Sequence, residues 1–157
     1  MVTVATAICL PPTIACVLEA VLASILIVDD DPTVRLIGAE LLRGEDYAIM
    51  EADDGDVAMK IIAAVPVDML ILDILMPRMD GLEVIRSVKS TYPAIKILAI
   101  SSGGHRAGAV SYLETARVFG ADEVMVKPLR MATFAMTVAR LLAEPTRSAN
   151  PWTASVS

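Results

Sequence analysis

The chain has 157 residues, 55% of them hydrophobic and 20% charged, with a formal net charge of −6. That length holds one well-buried domain and is short for two, and the composition is that of a globular chain and not a disordered one. An acidic chain with no Lys/Arg cluster lacks the basic face that neutralises phosphates, which argues against nucleic acid as a partner.

Residues 1–23 are nearly all apolar, but Pro11-Pro12 divides them and Glu19 lies within the second half. Neither half is long enough to span a bilayer, and no Lys or Arg precedes the apolar part as a signal peptide requires. Ile14, Val17, Leu18, Val21 and Leu22 follow helical spacing, so a short amphipathic helix is expected in this extension. The rival reading is a natural start near Val21, with no function for what precedes it. Cys9 and Cys16 match neither a zinc pattern nor a disulfide framework and read as small hydrophobes.

From Ile25 onward, apolar strand runs alternate with helical patterns. ILIV at 25–28 is a buried strand, and Asp30 or Asp31 with Pro32 opens a helix carrying Val34, Ile37, Leu41 and Leu42. A second strand is expected at 47–52 and a helix at 55–64 through Val57, Met59, Ile61 and Ile62. MLIL at 69–72 is the third strand, and 82–89 the next helix. IKILAI at 95–100 is the fourth strand, and a helix over 110–119 ends at Gly120, a good cap. EVMV at 123–126 is the fifth strand, and a helix over 131–143 stops before Pro145. Such βα units imply a parallel sheet with helices on both faces. The expected organisation is an extension at 1–23, one domain at 24–144, and a loose polar tail at 145–157.

In such sheets, sites form beyond the carboxyl ends of the strands. Here those ends carry Asp29-Asp30, Asp73, Ser101 and Lys127-Pro128. Adjacent carboxylates repel unless something positive lies between them, and three acids make a hard-oxygen cage suited to Mg²⁺. A carboxylate oxygen is then free to attack phosphorus, while the ion, Lys127 and Ser101 hold the oxygens of a transferring phosphoryl group.

The chain resembles a response-regulator receiver domain of two-component signalling. The resemblance rests on ILIVDD at 25–30, LILDILMPRMDGLEVI at 70–85, ILAIS at 97–101 and GADEVMVKP at 120–128, and covers residues 24–143. It implies a flavodoxin-like, doubly wound, five-stranded parallel sheet in the order 2-1-3-4-5. It implies Asp73 as phosphoacceptor, direct Mg²⁺ binding by Asp30 and Asp73, Asp29 acting through water, and the Leu75 carbonyl as a further ligand. Ser101 and Lys127 would contact the phosphoryl group, with a cis peptide before Pro128. A histidine kinase or histidine phosphotransfer protein would be the donor, in a cytoplasmic setting. Asp31 stands apart from the acid pair: it is expected to cap the first helix.

Two departures matter. Val124 stands where many receivers have an aromatic that swings inward, and the connection from Ser101 to Lys127 is longer than usual. No output domain follows Ala143, so the expectation is a stand-alone receiver that signals by contact with a downstream protein or a second copy. Leu75 and Gly103 offer no group to orient attacking water, so slow self-dephosphorylation is expected. SSGGHRAG around His105 reads as a mobile hinge, and phosphorylation is expected to reposition it with the fourth helix. Two rivals fit fewer residues. DDDPT at 29–33 also fits a haloacid-dehalogenase-like phosphatase, with Asp29 attacking and Asp31 as acid/base, but the acidic cluster those enzymes need after the lysine is missing. The other rival is a receiver-like binding module independent of phosphorylation.

Overall fold

The computed structural model of the chain describes residues 22–78, 80–102 and 108–144. The amphipathic helix expected before the domain, both cysteines, Met79, the Gly103-Gly104 hinge with His105, and the tail from Pro145 lie outside the described residues.

Among the described residues, five strands alternate with five helices. In chain order they are β1 (Ala23–Val28), α1 (Pro32–Leu41), β2 (Tyr47–Ala52), α2 (Gly55–Ala64), β3 (Met69–Asp73), α3 (Gly81–Thr91), β4 (Lys96–Ser102), α4 (Gly108–Phe119), β5 (Glu123–Lys127) and α5 (Met131–Ala143). All strand pairs are parallel, in the order β2-β1-β3-β4-β5. This is the expected doubly wound sheet. Its central strands are unbroken apolar runs because helices cover both faces.

Side chains alternate across each strand, which divides the core in two. Leu26, Val28, Leu70, Leu72, Ile97 and Ala99 pack with α2, α3 and α4 on one face. Ile25, Ile27, Met69, Ile71, Leu98 and Ile100 pack with α1 and α5 on the other. Aspartates start three helices: Asp31, Asp54 and Asp80 accept the N–H groups of Thr33, Val57 and Leu82. Each such cap is worth about 1 kcal/mol against alanine. Asp31 therefore caps α1, as its position suggested. The left-handed turn after α4 falls on Gly120, at φ 112°.

One expectation about facing is corrected. Ile37 belongs to the apolar pattern of α1 yet is 44% exposed, and its neighbour Leu36 is 59% exposed. The reason is Gly38, which is buried; a β-carbon there would meet Ile27 Cδ1 at 3.3 Å. The helix lies close to β1 along a line through Arg35, Gly38 and Leu42. Its apolar side at Ile37 is turned partly outward.

Candidate functional site

The register brings the strand ends to one rim. Val28 pairs with Leu72, Asp73 with Ile100, and Ser102 with Lys127, so the residues just beyond β1, β3 and β5 converge. Asp29 and Asp73 are buried, whereas Asp30 is exposed. Carboxylate oxygens of Asp29, Asp30 and Asp73 all lie within 4.8 Å of one another. That set of three hard oxygens, two of them on buried residues, fits a small divalent cation such as Mg²⁺.

Lys127 bridges the two buried acids. Its Nζ donates to Asp29 Oδ2 at 2.6 Å and lies 3.3 Å from Asp73 Oδ2. Asp73 Oδ1 also accepts the Leu75 N–H at 3.3 Å, and Asp29 Oδ1 accepts the Asp31 N–H at 2.9 Å. The peptide between Lys127 and Pro128 is cis, as the resemblance implied. Leu75 itself is 44% exposed at the rim.

Ser101 is fully buried, and its Oγ has no hydrogen-bond partner among the described residues. Strand alternation explains its separation from the acids. Asp29, Asp73 and Lys127 continue the α1/α5 side of their strands, whereas Ser101 continues the side of Ile97 and Ala99. Val124 lies on that same side, partly buried against the core. The structure thus joins Asp29, Asp30, Asp73 and Lys127 in one cluster and sets Ser101 beside it.

Burial raises the pKa of Asp73, and the nearby Asp29 charge adds to this, against the opposing Lys127 charge and the Leu75 N–H. Burial works against the Lys127 ammonium too, but its hydrogen bond to Asp29 and the charges of Asp73 and Asp29 outweigh that and raise its pKa. A carboxyl whose pKa rises on folding stabilises the native state below its unfolded pKa, and that contribution is lost as pH climbs through the folded value. Metal-free protein should therefore lose stability as pH rises from the ordinary carboxylate range through the raised Asp73 value. Asp73→Asn should flatten that slope and gain about 0.5–2 kcal/mol at neutral pH, the usual scale for relieving a functional site. Urea unfolding in EDTA across that pH range checks this; parallel profiles for both proteins would contradict it.

Two contributors escaped sequence reasoning. Arg35 Nη1 donates to the Asp29 carbonyl at 2.7 Å, from a position six residues on. Gly81 lies so close to the end of β3 that a β-carbon would stand 2.6 Å from the Asp73 carbonyl oxygen. The helix expected from 82 carried no sign of this close contact just before it. No local pattern marks either; both depend on which backbone the helix meets.

A parallel sheet with acids and a lysine converging at its carboxyl rim defines a class. The response regulator receiver domain family matches residues 25–139, and the chain belongs to it. Response regulator MprA of Mycolicibacterium vanbaalenii is 34% identical over 122 residues, covering 78% of this chain and 51% of MprA. The transcriptional regulatory protein ResD of Bacillus subtilis is 34% identical over 118 residues, covering 75% of this chain and 47% of ResD. The chain spans about half the length of the curated relatives it matches. Among solved structures, chemotaxis protein CheY4 of Vibrio cholerae superposes with a TM-score of 0.68 at 27% identity, covering 76% of this chain and 98% of CheY4. The receiver domain of NtrX from Brucella abortus gives 0.69 at 28%, covering 75% and 97%. Among the described residues, no helix is long and apolar enough to cross a membrane.

Proposed function

We propose that this chain is a phosphoacceptor of two-component signalling, with Asp73 taking a phosphoryl group from a histidine kinase or a histidine phosphotransfer protein. The observation that carries the reading is Asp73 itself: a buried carboxylate at the end of the central strand, within 3.3 Å of a lysine ammonium and clustered with two further acids. One Asp73 oxygen would attack phosphorus as the phosphorus–nitrogen bond of phosphohistidine breaks, its electron pair leaving with the imidazole. Lys127 would turn from the carboxylates to a phosphoryl oxygen, and the Ser101 hydroxyl would take another.

Asp30 and Asp73 would hold Mg²⁺ directly, with the Leu75 carbonyl beside them and Asp29 acting through water. Bound there, the ion would neutralise charge on the phosphoryl oxygens. Asp29 suits the indirect role because both its carboxylate oxygens are already engaged, by Lys127 and by the Asp31 N–H. The same engagement weakens the phosphatase reading, which needs Asp29 as a free nucleophile; its acid/base, Asp31, is committed to capping α1. Catalysis would be confined to the chain's own phosphorylation and dephosphorylation. Leu75, apolar at the rim, favours a long-lived product. The signal would leave through contact with a downstream protein or a second copy, in a cytoplasmic setting.

Acetyl phosphate tests the reading without a cognate kinase. With Mg²⁺, intact mass should rise by one phosphoryl group, removable by hydroxylamine; without Mg²⁺ the increment should vanish. Continuous release of phosphate from simple esters would favour the phosphatase instead. No uptake under any condition would favour a binding module independent of phosphorylation.

A further inference from the structure

We infer that Arg35 is a positioning residue for the acid pair: it fixes the peptide between Asp29 and Asp30, and so the direction in which Asp30 projects. Val28 is the last residue of β1 paired with both neighbouring strands. Beyond it the Asp29 N–H still donates to the Ala52 carbonyl at 3.2 Å, but the Asp29 carbonyl has left the ladder. Arg35 Nη1 takes that oxygen at 2.7 Å, while Arg35 Nε donates to Glu51 Oε2 at 3.1 Å. The Arg35 side chain is only 16% exposed, so it is held and not waving in solvent.

The peptide unit is planar, so anchoring the Asp29 oxygen also sets the Asp30 N–H and the point from which its side chain departs. Asp30 needs this. Its carboxylate has no hydrogen bond or ion pair among the described residues, whereas Asp29 and Asp73 are both held by Lys127. The backbone is what aims Asp30 at the other two acids. Arginine suits the task because one rigid plane donates in two directions, to a carbonyl of one strand end and a carboxylate on the next; a lysine head cannot span both.

The inference rests on the metal-binding reading of the acid cluster, and its sign separates it from simple electrostatics. Removing a positive charge beside a cation site should tighten cation binding if charge alone matters. Loss of positioning should weaken it, by roughly ten- to a hundredfold, as loss of groups that orient metal ligands does. Calorimetric titration with Mg²⁺ on wild type, Arg35→Ala and Arg35→Lys reads the affinity. The residual dipolar coupling of the Asp30 N–H in metal-free protein reads the tilt of the peptide plane. Both variants should bind more weakly than wild type, and both should change the coupling. Equal or tighter binding by Arg35→Ala, or wild-type affinity in Arg35→Lys, overturns the inference. A wild type that binds no Mg²⁺ would fail the metal reading instead; the coupling then decides, and an unchanged value in both variants overturns the role of Arg35. Should Arg35→Ala not fold, Arg35→Lys carries the same two measurements.

Discussion

Asp73→Asn should abolish acyl phosphate formation, lowering the rate by more than about a thousandfold, the scale on which removing a reacting nucleophile acts. The amide keeps the size of the carboxylate and can still accept the Leu75 N–H through its oxygen. Lys127 keeps its 2.6 Å partner in Asp29, so the pocket stays closed around a paired ammonium. What disappears is the anionic oxygen at the end of β3 and one member of the acid cluster. Shape survives and chemistry does not. The measurement is phosphoryl incorporation from acetyl phosphate with Mg²⁺ in excess, followed by intact mass. Incorporation at the wild-type rate would move the acceptor elsewhere and remove the main support for the proposed function.

The second large effect should come from a residue with no chemistry of its own. Gly81→Ala is expected to cost about 3 kcal/mol, in the upper part of the range for overpacked sites. The new β-carbon would lie 2.6 Å from the Asp73 carbonyl oxygen, 2.6 Å from Ile74 Cα and 2.9 Å from the Ile74 carbonyl oxygen. All three are backbone atoms, which cannot step aside as a flexible side chain can. The Gly81 N–H meanwhile donates to the Ile74 carbonyl at 3.1 Å, so the start of α3 is tied to the segment it would have to leave. Thermal unfolding should fall by on the order of 10 °C. Urea unfolding should show a lower midpoint with an unchanged slope, because the surface exposed on unfolding is the same. A shift of less than about 2 °C would mean that α3 withdraws from β3 at little expense.

Much of this architecture was legible because its signals are local and periodic. Continuous apolar runs at 25–28 and 69–72 belong to strands covered on both faces, and they lie within β1 and β3. The bounds expected for β2, α2 and α5 coincide with those observed; Asp54 caps the start of α2, and Pro145 follows α5 in the sequence. The acids were legible for a different reason: a charge directly after a buried strand is costly unless it has a use. Facing was less legible. Ile37 fits a helical stripe, but a buried glycine, Gly38, decided which side of α1 meets the sheet. Arg35 and Gly81 act through backbone atoms of other segments, and no residue pattern encodes a carbonyl's need for a donor. The separation of Ser101 from the acids follows from strand alternation, and it became visible only once β4 was aligned beside β3.

That alternation reaches beyond packing. On the proposed function, the groups that perform the transfer descend from one side of the strands, Asp29, Asp73 and Lys127 with α1 and α5. The hydroxyl that would sense the product lies on the other side, with Val124 and the helices α2, α3 and α4. Heritable change can therefore act on the two traits separately. A substitution beside Ser101, on the side of α2, α3 and α4, would alter what the modified protein presents to others with Asp29, Asp73 and Lys127 left in place, and the reverse would hold for the acids' neighbours. Val124 lies on the sensing side, so a substitution there would be of the first kind. Such a change would redirect the message and leave the acids and the lysine where they are.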